Sequence, residues 1–368
     1  MTAYNPKNER IKREYFRYQK EAGRKADSTI DGIRKAIGRF EEYTGRKDFA
    51  TFNKEQAIGF KKHLARSRGA RTGEPMAKST LVVTAGILKE FFRWLSWQAG
   101  YKSRIRQTDV EYLNLSENDT RAAKAPRFKT YPTIEQIRAV IAAMPVTTDI
   151  HLRNRALIAM AILTGARDSA LATLRLKHVD VERKLVMQDP TEVRTKRRKR
   201  IDTFFFPLGE DLEAIVVDWI RYLREVKLYG NDDPVFPRTR VRADTEGSFV
   251  GEGLEPVFWE TTQPIRHIVR DAFTAIDLPY FRPHSFRDTL VQYAERHAPT
   301  IEHLKAWSQN LGHEHLATTV SAYGNMALDH QGKLVRAVQG NGHSDTAGES
   351  DDVLFDQIKR LVDQRQRR

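Results

Sequence analysis

Three short segments in the second half of the chain hold residues whose types and spacing could do chemistry. These segments are residues 164–167 (TGAR), 283–287 (PHSFR) and 311–323 (LGHEHLATTVSAY). His284 and Arg287 stand three residues apart, so on a helix they share one face and can contact the same ligand. Each segment alone also fits a structural role. Arg167 follows Gly165 at the end of an apolar run, where a cation complements the helix dipole, and His313 fits a hydrogen-bonded structural histidine.

The charge of the chain favours an anionic partner. Its 368 residues include 62 Lys and Arg against 48 Asp and Glu, for a formal net charge of +14. Lysine and arginine gain affinity for nucleic acids by releasing the counterions condensed on phosphates. The chain has no cysteine, which excludes a disulfide framework, a thiolate zinc site and a cysteine nucleophile. Any catalysis must therefore use other side chains.

The hydropathy of the chain indicates a soluble protein. No stretch approaches the roughly 20 consecutive apolar residues that a membrane-spanning helix needs. The first twenty residues are polar and mixed in charge rather than signal-like. We therefore expect a cytoplasmic protein with no membrane partner.

The first hundred residues show the apolar spacing of a small helical domain. Helical periodicity extends from Ser28, a predicted N-cap, to Tyr43, and returns over residues 55–66 and 79–101. The polar faces carry basic side chains that fit either a DNA backbone or a solvated surface. Those taken as candidate DNA contacts are Arg34, Lys35, Lys61 and Lys62.

A polar, basic and proline-containing stretch, residues 114–129, interrupts this periodicity and is typical of an interdomain linker. We therefore expect four parts: a helical first domain, a linker, a second domain that holds the three segments, and a C-terminal tail. Their predicted bounds are residues 1–115, 116–131, 132–340 and 341–368. An apolar stripe over residues 353–362 predicts a helix in the tail, which fits packing on another protomer or a frayed end.

The second half predicts helices and one β-hairpin. Thr133 and Gln136 form a capping-box pattern, and further helices are predicted over 152–163, around 169–174, over 212–223 and through most of 264–326. Alternation over 178–187 and 201–208 predicts two strands, whereas 230–253 has no clear period and is predicted as a loop. The expected fold class is mainly α with a small antiparallel β-sheet.

Six of the seven residues from 194 to 200 are basic, which predicts a positively charged hairpin tip between the two strands. Such a tip suits the groove of a nucleic acid. Its candidate DNA contacts are Arg194, Arg197, Arg198, Lys199 and Arg200.

The ordered combination of these motifs resembles the tyrosine recombinases, or phage integrase family. The catalytic domain of that family carries Arg, Lys, His-x-x-Arg, His or Trp, and Tyr in this order, as does the segment from Arg167 to Tyr323. With the helical first domain and linker, the resemblance covers nearly the whole chain. It implies a site-specific recombinase that cleaves and rejoins DNA through a 3′-phosphotyrosyl intermediate, without ATP, a metal ion or another cofactor.

By this resemblance Tyr323 is the nucleophile, and Arg167 and Arg287 are the catalytic arginines. Because a tyrosine has a pKa of about 10, only about one in a thousand is ionised at pH 7, so attack on a phosphodiester needs proton removal and charge stabilisation. Guanidinium groups can fork onto the nonbridging phosphate oxygens, where charge develops in the transition state.

The remaining roles fall on two histidines and a lysine. The resemblance makes His284 a general base or acid, His313 a hydrogen-bond donor to the phosphate, and Lys196 the general acid toward the leaving 5′ oxygen. Lys199 is the alternative to Lys196, because Arg194-Thr195-Lys196 stands where many family members have Lys-Thr.

Two further departures from the family pattern concern the supports of the site. Arg167 is followed by Asp168-Ser169-Ala170 rather than by a hydrophobic residue, serine and an acidic residue, so Asp168 is a partial substitute for that acid. The gap from His313 to Tyr323 is one residue longer than the commonest family spacing, which allows a shifted tyrosine helix.

Three other functions fit parts of the sequence. A metal-dependent nuclease would use histidines such as those at 313 and 315, but it usually adds convergent carboxylates, and the pairs at 232–233 and 351–352 lie in turn-like or tail-like sequence. A DNA-binding protein without catalysis is disfavoured by the presence of Tyr323 and both arginines. A type IB topoisomerase shares the chemistry, but the basic helical first domain fits recombination better.

The resemblance also implies partners. Recombination between two sites needs double-stranded DNA and four protomers on two duplexes, and the predicted C-terminal helix is a candidate for passing between protomers. An accessory DNA-bending factor is a further partner that the sequence leaves open.

Overall fold

The structure is a computed structural model that describes residues 4–69, 73–125, 130–243 and 249–313. The chain divides into two compact units, residues 1–126 and 127–368, and each has its own hydrophobic core. The division falls within the predicted linker. Within the described ranges, no helix combines the length and apolar character that crossing a bilayer requires.

The described part of the first unit is helical. Its helices are α1 (Pro6–Glu21), α2 (Asp27–Tyr43), α3 (Lys54–Arg66), α4 (Lys78–Leu95), α5 (Gln107–Glu111) and α6 (Glu117–Lys124). Aromatic rings fill the core between them, among them Phe40, Phe60 and Phe92. Three of these helices were predicted, but the predicted cap at Ser28 was wrong because Ala26 occupies the N-cap of α2.

Helix α1 was not predicted from the sequence, because half of its buried face is polar. The buried residues of α1 are Asn8, Ile11, Tyr15 and Gln19. The Asn8 amide donates to the Glu41 carboxylate at 3.1 Å and to the Lys47 carbonyl at 3.0 Å, and it accepts from the backbone N–H of Phe49 at 3.1 Å. A buried amide with three partners is well satisfied. These partners come from other parts of the unit, so local apolar spacing does not reveal them.

The predicted linker begins with a helix. Ser116 caps α6 by accepting from the backbone N–H of Asp119, and the Asp119 carboxylate pairs with Lys78 at 2.9 Å. Because Lys78 opens α4, this ion pair holds α6 on the first unit. The first part of the predicted linker therefore belongs to the helical domain.

The second unit combines seven helices and five strands in its described part. In chain order they are α7 (Ile134–Ala143), α8 (Asp149–Thr164), α9 (Asp168–Leu171), β1 (Val179–Asp180), β2 (Leu185–Gln188), β3 (Ile201–Phe204), α10 (Glu210–Glu225), β4 (Arg238–Ala243), β5 (Phe249–Glu255), α11 (Gln263–Thr274), α12 (Ser285–His297) and α13 (Ile301–Asn310). The predicted capping box of α7 is present, with Thr133 and Gln136 each bonding the backbone of the other. The predicted fold class is confirmed.

Helix α8 is the centre of this unit. Every residue from Ala156 to Thr164 is buried, and α7, α10, α11 and α12 all contact the helix. A helix that is buried on all sides must have neighbours around its whole circumference. Its C-terminal end is therefore held in a fixed position, and the TGAR segment begins at its last residue, Thr164.

The basic run lies on a β-hairpin, as predicted. Strands β1, β2 and β3 form an antiparallel sheet in that order, with Leu185 opposite Phe204 and Gln188 opposite Ile201. The single strand predicted over 178–187 is in fact the pair β1 and β2. The connection between β2 and β3 contains the basic residues 194–200.

The predicted loop over 230–253 was wrong, because strands β4 and β5 form a second antiparallel hairpin there. Its pairing relies on charge rather than apolar alternation. Arg238 pairs with Glu255, and Arg240 and Arg242 lie 3.6 and 3.7 Å from Glu252. Such cross-strand ion pairs stabilise a sheet without a hydrophobic period.

Candidate active site

Arg287 joins the three sequence segments. It lies in the first turn of α12 and is only 4 % exposed. Its guanidinium donates to the carbonyl of Gly165 and to the carbonyl of Leu311, each at 2.6 Å, and lies 2.9 Å from Nε2 of His313. One side chain therefore connects the ends of α8 and α13 to the start of α12.

Two glycines allow the close packing around Arg287. Gly165 ends α8 with φ of +58°, and a Cβ atom there would lie 2.7 Å from the side chain of Leu311 and 3.0 Å from that of Leu290. Gly312 has φ of +71°, and its Cβ would lie 2.9 Å from the side chain of Ile201. Only glycine combines this backbone conformation with so close an approach.

The pKa of His313 reflects the electrostatic environment of the site. Burial of the ring is the main cause that lowers the pKa of His313 to about 4, and electrostatic repulsion from four nearby side chains adds to the effect. In order of effect these groups are Arg287, Arg167, His284 and Lys199. His313 is therefore neutral at pH 7, in surroundings that favour an anionic ligand.

The contact with Arg287 also determines which nitrogen of His313 carries the proton. A guanidinium has donors and no acceptor, so Nε2 of His313 accepts the hydrogen bond from Arg287. The single N–H of the neutral ring is then at Nδ1. This assignment follows from the hydrogen-bond partners of the ring.

Arg167 and His284 each sit at the start of a helix. Arg167 is half-buried at the N-cap position of α9, two residues after Gly165. His284 is exposed at the N-cap position of α12, and its carbonyl accepts from the backbone N–H of Arg287 at 3.2 Å. The structure thus brings Arg167, His284, Arg287 and His313 into one charged cluster.

The two candidate lysines differ in their surroundings. Lys199 is half-buried and borders a cavity of about 300 Å³, whereas Lys196 is exposed at the start of the turn. The cavity is lined by Lys199, Arg200, Ile201, Asp202, Gln309, Gly312 and His313. Arg197 and Arg198 between the lysines are exposed and have positive φ angles. Of the residues on this turn, Lys199 and Arg200 line the cavity together with His313.

The other arginines of the basic run have partners within the second unit. Arg194 donates to the carbonyl of Glu260 at 3.0 Å, and Arg200 pairs with Asp202 at 3.1 Å. Both arginines are exposed. These partners orient the side chains and leave them at the surface.

Asp168 is the predicted partial substitute for the acidic residue that supports the site in the family. Its carboxylate pairs with Arg266 of α11 at 2.8 Å and accepts from the backbone N–H of Ser169. Asp168 therefore joins α9, which begins beside Arg167, to α11. The structure gives it a scaffold role close to the cluster.

Asn310, at the C-terminal end of α13, is a residue that sequence reasoning missed. Its side-chain amide accepts from the backbone N–H of Phe204 and donates to the carbonyl of the same residue, each at 2.8 Å. The carbonyl of Asn310 accepts from the Thr203 hydroxyl at 3.0 Å. The sequence signal was slight, a polar residue just before Leu311.

The candidate DNA contacts of the first unit have different settings. Lys35 and Lys62 are exposed, and Arg34 pairs with Asp31 at 2.7 Å on the surface. Lys61 is half-buried and donates to the carbonyl of Asn114 at 2.7 Å, and burial lowers its pKa. Lys61 therefore contributes to packing within its unit.

Tyr323 lies outside the described residues, as does the predicted C-terminal helix over 353–362. Within residues that the structure describes, no three His, Asp or Glu side chains converge as a metal site would need.

A comparison with protein families decides the identity of the chain. The model of the family described as "Phage integrase family" matches residues 132–330, more than half of the sequence. The chain belongs to the phage integrase family. The matched region of this recombinase contains all six predicted catalytic residues. The predicted family and the predicted enzyme class, a DNA strand transferase, are confirmed.

Individual relatives agree with this assignment. Tyrosine recombinase XerC of Lactobacillus leichmannii is 24% identical over 265 residues, which covers 70% of this recombinase and 76% of that protein. Tyrosine recombinase XerD of Pasteurella multocida is 24% identical over 253 residues and covers 68% and 73%, respectively.

Two solved structures share the fold of this recombinase. A lambda integrase dimer bound to a core site has a TM-score of 0.56 at 14% identity, covering 86% of this chain and 94% of that chain. The XerH site-specific recombinase bound to a palindromic difH substrate has a TM-score of 0.54 at 16% identity, covering 84% and 80%.

Proposed function

We propose that this site-specific recombinase cleaves double-stranded DNA at the cluster of Arg167, His284, Arg287 and His313, with Tyr323 as the nucleophile. The observation that carries this assignment is the concentration of positive charge around a neutral His313. A scissile phosphate would supply the negative charge that this cluster lacks.

The cleavage step is a transfer of a phosphoryl group. The phenolic oxygen of Tyr323 attacks phosphorus, so that a tyrosyl O–P bond forms and the bond from phosphorus to the 5′ oxygen breaks. His284 is the candidate that takes the phenolic proton, and a lysine of the basic turn protonates the leaving 5′ oxygen. A different 5′ hydroxyl reverses the step and rejoins the strand, and the covalent link conserves the bond energy without ATP.

Arg287 is suited to stabilise the charge that develops on the phosphate. The backbone carbonyls of Gly165 and Leu311 hold its guanidinium. A donor that is fixed before the substrate arrives needs no reorganisation during the reaction, which makes its electrostatic contribution large.

The general acid is assigned to Lys196, with Lys199 as the competing candidate beside His313. A DNA substrate with sulfur in place of the bridging 5′ oxygen separates the two, because a thiolate leaves without a proton. Loss of the general acid should slow cleavage of ordinary DNA by about 10²- to 10⁴-fold. The sulfur substrate should restore the cleavage rate of Lys196→Ala, whereas any reduced rate of Lys199→Ala should remain. If instead the rate of Lys199→Ala is restored and that of Lys196→Ala is not, Lys199 is the general acid.

The assembly proposed for recombination contains four protomers on two DNA duplexes. The basic turn, with Arg194, Arg197, Arg198 and Arg200, and the surface residues of the first unit would contact the phosphate backbone. The segment over 353–362 would pass between protomers, and a DNA-bending factor would assist where the site must bend. Mass measurement of the complex on a cleaved site tests the number of protomers.

A covalent-adduct experiment tests the function as a whole. Wild-type protein and Tyr323→Phe are mixed with nicked, fragmented host DNA in EDTA, denatured with detergent, and any DNA still attached to protein is sequenced. We expect an adduct with the wild type only, with DNA binding nearly intact in the variant, since one oxygen is removed. An adduct formed by Tyr323→Phe would contradict the assigned nucleophile.

The same experiment separates the competing functions. Salt-sensitive binding without an adduct would indicate a non-catalytic DNA-binding protein. Cleavage that EDTA abolishes would indicate a metal-dependent nuclease. Adducts without sequence preference, together with relaxation of any supercoiled plasmid, would indicate a topoisomerase.

A further inference from the structure

The Asn310 side chain pairs with strand β3 as another strand would. Its amide oxygen accepts from the N–H of Phe204 and its amide nitrogen donates to the carbonyl of Phe204. Only one orientation of the amide satisfies both contacts. If the amide were flipped, its NH₂ group would face the N–H of Phe204 and its oxygen would face the carbonyl of Phe204. The Thr203 hydroxyl adds a third bond, to the Asn310 carbonyl.

This pairing occupies the edge of the three-stranded sheet. β3 is an outer strand, and Phe204 turns its backbone groups away from β2 toward Asn310. Phe205 then bonds back to Lys184 beside β2, and the N–H of Phe206 bonds to the carbonyl of Leu163 in α8. Asn310 therefore fixes β3 at a point between the sheet and the central helix.

The strand and the helix that Asn310 joins both contribute residues to the lining of the cavity. β3 begins directly after the basic turn, and Lys199, Arg200 and Ile201 line the cavity. His313, three residues after Asn310, also lines it. The distance between Lys199 and His313 depends on how β3 is held against the end of α13.

We propose that Asn310 is a positioning residue, which holds the proton-donating basic turn at the correct distance from Arg287 and His313. This inference rests on the proposed function of the cluster. Without the amide, β3 keeps its bonds to β2 and the bond from Thr203 to the Asn310 carbonyl, but Phe204 loses both of its bonds to α13, so the turn can shift relative to the phosphate. A displacement of about 1 Å in a catalytic constellation can reduce the rate by about 100-fold.

The test uses the full chain and compares two DNA substrates. Single-turnover adduct formation is measured at saturating DNA on a nicked substrate with the ordinary 5′ oxygen and on one with bridging sulfur, using wild type, Asn310→Ala and Asn310→Asp. The Asn310→Asp variant retains the acceptor for the Phe204 N–H but places a charge against the Phe204 carbonyl. Thr133→Ala, which removes the cap of α7, is the matched control for lost stability.

We expect both Asn310 variants to be about 10- to 100-fold slower than wild type on the oxygen substrate, with unchanged DNA affinity. The sulfur substrate should reduce that deficit to a few-fold, since its leaving group needs no proton from the turn. For Thr133→Ala, the ratio of its rate to the wild-type rate should be the same on both substrates.

Three outcomes would overturn the inference. Equal deficits of Asn310→Ala on both substrates would show a role in stability alone, and full activity of Asn310→Asp would show that the paired amide is dispensable. Absence of an adduct with wild type would overturn the proposed function and this inference together, whereas a normal wild-type adduct confines any failure to Asn310.

Discussion

Nε2 of His313 lies 2.9 Å from a guanidinium nitrogen of Arg287, and burial of the ring together with the charge of Arg287 keeps the imidazole neutral. The same guanidinium is anchored by carbonyls from two other segments. The protonation of His313 therefore depends on the tertiary arrangement of the whole cluster. A bound phosphate would change it, because a negative charge favours the protonated ring.

The titration of His313 should differ between the free and DNA-bound protein. The pKa of His313 in the folded protein, about 4, lies below the ordinary value of about 6.5. We therefore expect the ring to stay neutral, and its NMR chemical shift to stay constant, from about pH 5 to 8 in the free protein. DNA should raise that pKa, most clearly with Tyr323→Phe, which holds the phosphate uncleaved. A pKa that DNA leaves unchanged would contradict phosphate binding beside His313.

The lowered pKa also predicts a dependence of stability on pH. Between pH 6.5 and 4 the unfolded chain binds a proton at His313 and the folded chain does not. The contribution of His313 to the free energy of unfolding is therefore complete above pH 6.5 and is lost as the pH falls toward 4. His313→Gln lacks it, so its free energy of unfolding should fall less than that of wild type across this window in urea titrations. A parallel decline in both proteins would contradict the prediction.

Replacing Arg287 by lysine should remove most catalysis although it keeps the charge. A lysine ammonium cannot bridge the carbonyls of Gly165 and Leu311 with a rigid fork, so we expect adduct formation to slow by about 10²- to 10³-fold. Arg221→Lys, on the exposed face of α10, is the matched control and should retain wild-type rates. Near-normal cleavage by Arg287→Lys would show that charge alone suffices.

Gly165→Ala should destabilise the second unit. The added Cβ would approach Leu311 to 2.7 Å in a left-handed backbone conformation, which we expect to cost about 1 to 3 kcal/mol of unfolding free energy. Gly86→Ala is the control, because its Cβ meets nothing within 4 Å on helix α4, and it should be neutral or stabilising by up to about 1 kcal/mol. Thermal unfolding measures both, and an equally stable Gly165→Ala would refute the packing argument.

Two adjacent lysines of α3 should contribute unequally to DNA binding. Lys62 is exposed, whereas Lys61 already donates to the Asn114 carbonyl. If Lys62 contacts a phosphate, Lys62→Gln should reduce the slope of log affinity against log salt by about 0.9. Lys61→Gln should change the slope less and the stability more. The opposite order in a salt titration would make Lys61 the phosphate contact.

The sequence alone was sufficient for much of the fold. Local spacing predicted helices at the positions of α2, α3, α7, α8 and α10, and the basic run predicted the turn before β3. These helices and this turn depend on residues that are close in sequence, so apolar periodicity and capping residues are enough to predict them. Helix α1 and the hairpin of β4 and β5 were missed, because polar and charged partners from elsewhere replace the apolar period there.

The order and types of the motif residues likewise determined the family and the chemistry to expect. Tertiary structure decided what those residues do for one another: that Arg287 is anchored by Gly165 and Leu311, that His313 is neutral, and that Asn310 ties β3 to α13. The physical reason is that hydrogen bonds, desolvation and charge act through space. A sequence displays residue types and spacing, whereas the pKa and the distance between two groups arise only when the folded chain brings them together.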